Sequence, residues 1–99
     1  MSDNAFDPQA LEMPKPADLR RAIECMLLHR NKDASGIAMV LDEADGEHRM
    51  SFVIAALLFL GNQFADQAAA EHNFDVEANL RHLQAALAAQ EEDEGGPTT

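Results

Sequence analysis

The stretch SFVIAALLFL, Ser51 to Leu60, sets nine apolar residues in a row behind one serine. Such a segment crosses a membrane, is walled in by its own chain, or is covered by another chain. A spanning helix needs about 20 mainly apolar residues. Here Gly61, Asn62 and Gln63 interrupt the run, Asp66 follows, and Glu47, His48 and Arg49 precede it. The run alone is too short to span, so the reading is a buried helix. Strand is the competing choice, because Phe52, Val53 and Ile54 favour β structure. Length decides against it: the apolar pattern continues through Phe64, Ala65 and Ala68, in Ala- and Leu-rich sequence that favours helix. A helix apolar all round has to be surrounded. Gly61 weakens it by about 1 kcal/mol relative to alanine, and its lack of a side chain suggests a close backbone approach or a slight kink.

The neighbours of this segment also read as helices. Pro16 suits a first helical position, and Asp18 lies where the helix dipole favours an anion. Leu19, Ala22, Ile23, Met26 and Leu27 make an apolar stripe, with Arg20, Arg21, Glu24 and Arg30 largely off it. Asp33 is a candidate N-cap for a second helix carrying Ile37, Ala38, Leu41 and Ala44 on one face, with Val40 beside it, closed by Asp45-Gly46. Asp75 is placed to cap a last helix. In it Val76, Leu80, Leu83 and Leu87 recur at 4-3-4 spacing, a narrow seam of the coiled-coil kind. The expectation is an all-α, four-helix bundle with helices over about 16–31, 34–44, 48–71 and 76–90. A flexible arm is expected over 1–14, where Phe6, Leu11 and Met13 are the apolar residues, and a disordered acidic tail over 91–99.

Chemistry is sparse. Cys25 and His29 stand i,i+4 and would face one metal ion, but zinc sites need three or four ligands, usually in close pairs, and His48, His72 and His82 lie singly elsewhere. In DEADGE, aligning Gly46 with the glycine of a calcium loop puts Leu41 at the first ligand position and Phe52 at the bidentate one, so the run reads as a solvated turn. No serine or threonine has a visible base and orienting partner. No phosphate loop or dinucleotide fingerprint occurs. The expectation is a non-enzyme with no catalytic residues, no metal and no cofactor.

Charge narrows the partners. At −11 the chain is ill suited to bind phosphates or anionic membrane surfaces directly. Five of the seven basic residues fall at Lys15, Arg20, Arg21, Arg30 and Lys32. The second helix of that pair, IAMVLDEAD, is acidic and would be repelled from a DNA groove. The basic group therefore reads as a solvated face, a contact for an acidic partner, or a dock for the chain's own acidic tail. One cysteine permits no internal disulfide, and the N-terminal stretch lacks the pattern of a secretory signal; the expectation is cytoplasmic.

The segments DASGIAMVLDEADGEHRMSFVIAALLFL and LRHLQAALAA resemble, across about 16–90, short acidic Ala-rich all-helical proteins of actinobacteria and their phages. That resemblance implies a helical bundle and carries no catalytic residue across. The functional expectation is a protein–protein interaction or adaptor module forming a homodimer. Its contact residues would be Phe52, Phe59, Leu60, Phe64, Leu80, Leu83 and Leu87. The alternative is an acidic inhibitor, DNA-mimic-like, that fills the basic cleft of a nucleic-acid-binding protein.

Overall fold

The computed structural model describes residues 7–95. Among these, every regular element is helical: a 3-10 turn at Pro8–Leu11, then α1 (Pro16–Arg30), α2 (Ala34–Gly46), α3 (Met50–His72) and α4 (Val76–Gly95). The class is all-α, a small helical bundle, with the long apolar helix third in order.

Three turns of one design separate the helices. In each, a residue other than glycine takes the left-handed conformation: Lys32 (φ 58°), His48 (φ 59°) and Asn73 (φ 59°). After α1, Asp33 N–H donates to the Leu28 carbonyl and Lys32 N–H to that of His29. After α2, Arg49 N–H donates to Ala44 and His48 N–H to Asp45. After α3, Phe74 N–H reaches back to Ala69. These are Schellman-type closures, which satisfy carbonyls that a helix end leaves orphaned. The next helix starts at once: Asp33 Oδ1 accepts from Gly36 N–H at 2.9 Å and Asp75 Oδ1 from Ala78 N–H at 3.0 Å. Both caps are those expected from sequence.

The chain divides into two compact units, 1–62 and 63–99, and α3 contributes to both. The first unit holds the core. Ala22 of α1, Ala44 of α2, and Val53 and Ala56 of α3 are buried together, with Leu19, Leu41, Leu57 and Leu60 packed around them. Three of the four core residues are alanines, which leaves little apolar area to bury. In the second unit no residue between 63 and 93 is buried; Ala65, Ala68, Ala69 and Val76 are half-buried.

Four expectations change. The buried face of α1 is Asp18, Arg21, Ala22 and Cys25, while Ile23 and Leu27 are 46% and 56% exposed. The helix is turned by about 100°, one residue's rotation, from its apolar stripe. The cause is a pair of ion-pair clamps described below. Second, α3 is only partly enclosed: Val53, Ala55 and Ala56 are buried, yet Ile54 and Leu58 are 41% and 55% exposed. Gly61 has open space where a Cβ would stand, so no backbone approaches it. Third, the arm is ordered from Asp7: Ala10 and Pro14 are buried, and Asp7 N–H donates to Ser51 Oγ at 3.4 Å. Phe6 lies outside the described residues. Fourth, α4 continues to Gly95, because Gln90, Glu91 and Glu92 are good helix formers. The tail expected beyond 95 lies outside the described residues.

Candidate functional site

Two clusters of charged side chains position the first unit. Asp18 is fully buried in the first turn of α1. Its Oδ2 accepts the Lys15 backbone N–H at 2.9 Å, closing the start of the helix. Arg49, in the α2–α3 turn, grips the same carboxylate with two nitrogens, Nε to Oδ1 at 3.1 Å and Nη2 to Oδ2. The Arg49 guanidinium also stands 3.6 Å from the Phe52 ring centroid. One carboxylate thus caps α1 and ties it to the start of α3. The Arg49 hydrogen bonds hold the Asp18 carboxyl below its ordinary range, against the opposing effect of burial.

Arg21, 4% exposed, forms the second clamp. Its Nε donates to Glu43 Oε1 at 3.1 Å and its Nη2 to Glu47 Oε1 at 2.8 Å. These hydrogen bonds, Glu47 first, push the guanidinium pKa further up. The sequence leaves Arg21 to a solvated face, an acidic partner or the chain's own acidic tail, and reads DEADGE as a solvated turn. The structure pairs them instead and ties α1 to α2. The signal was visible as an arginine one turn behind Asp18, with acids four residues apart at the end of α2 and just past it, but only tertiary contact joins those elements. No buried side-chain nitrogen or oxygen among the described residues lacks a partner. In both clamps the buried charge meets its counter-charge from another helix or turn.

Cys25 and His29 do share a shallow groove, with Met26, Arg30, Ile37 and Leu57. Cys25 is buried and burial pushes its thiol pKa up, which opposes the thiolate a metal or a nucleophile needs. Among the described residues no three His, Cys, Asp or Glu side chains are placed to hold a metal ion.

The expected contact residues separate into two sets. Phe52 and Leu60 are half-buried, Phe52 under Arg49 and Leu60 against the core. Phe59 is half-buried along a shallow groove with Leu11, Met13, Ala55 and Leu58. Of these three, Leu60 packs against the first unit's core and Phe52 is covered by Arg49. Phe64, Leu80, Leu83 and Leu87 are 54%, 52%, 50% and 58% exposed. The three leucines line a shallow groove on α4 with Glu77, Arg81 and Gln84. The strip is bordered by little charge: Glu77 is engaged by Arg81 at 3.4 Å, and 82–90 carry no carboxylate. Acids crowd the end, where Glu91, Glu92 and Asp93 are exposed and no basic residue balances the last turn.

One further feature bears on surface. α3 is the one helix among the described residues long and apolar enough to cross a membrane, with a mean hydropathy of 1.3 over its best window, of which 17% is buried. The nine-residue run alone fell short; the alanine-rich second half of the helix supplies the remaining length. Comparison with family models, with curated proteins and with solved structures yields no match for this chain.

Proposed function

We propose that this protein is a non-enzymatic interaction module that self-associates through apolar helix surface in its second unit. The observation that carries this reading is the strip Leu80, Leu83 and Leu87, each about half exposed on a helix that buries none of its own residues up to 93. A lone helix of this length is marginal in water, and most helical stability in proteins comes from packing an apolar face. Covering the exposed half of a leucine contributes about 1 kcal/mol, so a partner surface supplies what the second unit lacks. The two buried charged groups of the first unit, Asp18 and Arg21, are both paired, which supports a structural part for them. The net charge and the charged ends of α4 fit an aqueous, cytoplasmic setting, with α3 covered by protein.

Sedimentation velocity of the intact chain from low to high micromolar concentration tests the reading. A concentration-dependent dimer is expected, and the triple variant Leu80→Gln, Leu83→Gln, Leu87→Gln is expected to stay monomeric with its first unit folded. A wild-type chain that stays monomeric throughout, and recovery only in detergent-extracted membranes, are the results that count against it.

A further inference from the structure

We infer that the groove between α1, α2 and α3 of the first unit binds a small amphiphilic anion, a short apolar chain ending in a carboxylate. The apolar lining is Cys25 and Met26 of α1, Ile37 of α2 and Leu57 of α3, and the polar residues are His29 and Arg30. Cys25 is buried, Met26, Ile37 and Leu57 are half-buried, and His29 and Arg30 are exposed. The groove holds about 430 Å³, inside the range of about 300–1,000 Å³ in which small-molecule sites fall. Such sites pair a mostly apolar lining with a few polar groups that fix orientation.

Charge chooses the anion. The chain carries 18 acidic residues, yet none lines this groove. The grooves along α4 and beside the 3-10 turn carry Glu77 and Glu12. No acid occurs from 48 to 65, the stretch that holds Leu57. Glu24 lies 4.0 Å from Arg20. Asp33 lines the adjoining groove with His29, Lys32 and Ile37, and its Oδ1 is engaged by the Gly36 N–H. Arg20, Arg21, Arg49 and Arg81 each have a carboxylate within 4.0 Å, whereas among the described residues Arg30 and Lys32 have none. The last turn of α1 suits cations through the helix dipole. That leaves the forked donors of Arg30 open, and a carboxylate fits such a fork. Length chooses a small molecule over a partner helix. Cys25 to Arg30 spans about 7.5 Å of α1 at 1.5 Å per residue, shorter than the roughly 10.5 Å between the i and i+7 anchors of a docked helix.

Methyl NMR of the intact chain, with octanoate, octan-1-ol and octylammonium as probes, is the test. Octanoate is expected to shift the Met26, Ile37 and Leu57 methyls, with roughly millimolar affinity for about ten heavy atoms. Octylammonium is expected to bind there about fivefold more weakly, although the net charge of −11 favours it over the molecule as a whole. Arg30→Gln, at an exposed position, is expected to weaken octanoate about fivefold and leave octan-1-ol unchanged, and Arg30→Lys to restore part of the loss. From hexanoate to decanoate the affinity is expected to rise about two- to fourfold per methylene. Octanoate that shifts none of these methyls, octylammonium bound as tightly as octanoate, or Arg30→Gln without effect overturns the assignment. An acidic amphipathic peptide that shifts the same methyls while octanoate does not gives the groove to a protein partner and also overturns it.

Discussion

Asp18 does the work of two residues. It closes the first turn of α1 through the Lys15 N–H and holds Arg49 from the α2–α3 turn. Removing one partner of a buried pair leaves the other uncompensated, so Asp18→Ala is expected to cost about 3 kcal/mol in urea denaturation, the low end for such pairs because Arg49 keeps some contact with water. The pH dependence has a definite sign. The folded carboxyl titrates below the unfolded one, so its contribution is complete above the unfolded value of about 3.9. It is lost as pH falls through the lower folded value. The wild type is expected to lose stability steeply in acid, and Asp18→Ala to flatten that curve. Two glycines make an opposite-signed pair. A Cβ at Gly36 would stand 2.8 Å from Asp33 Oδ2 and 3.0 Å from Leu28, whereas one at Gly61 meets nothing. Gly36→Ala is expected to lower the melting temperature by disturbing the α2 cap, despite alanine's helix preference. Gly61→Ala is expected to raise stability by up to about 1 kcal/mol.

At the scale of the element, start and stop signals and the face of α2 were legible, and the face of α1 was not. Asp33, Asp75, Pro16 and Gly46 mark helix ends from chemistry local to each, and all four fall at ends in the structure. The left-handed turns at Lys32 and His48 were not visible, because a lysine and a histidine occupy positions usually given to glycine, although both helices end close to where the sequence places them. The face of α1 was misread for a reason a hydropathy count cannot contain. Arg21 is costly to bury alone, and becomes acceptable once Glu43 and Glu47 meet it. Its core neighbour Ala22 leaves no room: Ala22→Leu is expected to destabilise the first unit by about 1–3 kcal/mol through overpacking, read by thermal unfolding.

For the whole molecule, net charge sets how any partner is met. A chain of −11 repels its own copy at long range, so screening should help self-association. The dimer is expected to tighten as salt rises from 20 to 300 mM, values chosen to take the screening length from roughly 20 Å to about 6 Å. A basic partner on the same strip would bind more weakly over that range. Sedimentation at the two salt concentrations reads the difference in sign directly.

The sequence by itself determined the helices, their order and most of their ends, because capping, turn chemistry and apolar period act over a few residues. It also placed Leu80, Leu83 and Leu87 on one side of α4, since a 4-3-4 repeat is visible without any contact. Tertiary structure alone decided which charges go inside. Asp18 with Arg49 and Arg21 with Glu43 and Glu47 are separated by 22 to 31 residues. Burial of each is tolerable only when the other side of its pair has already been delivered by a different helix or turn.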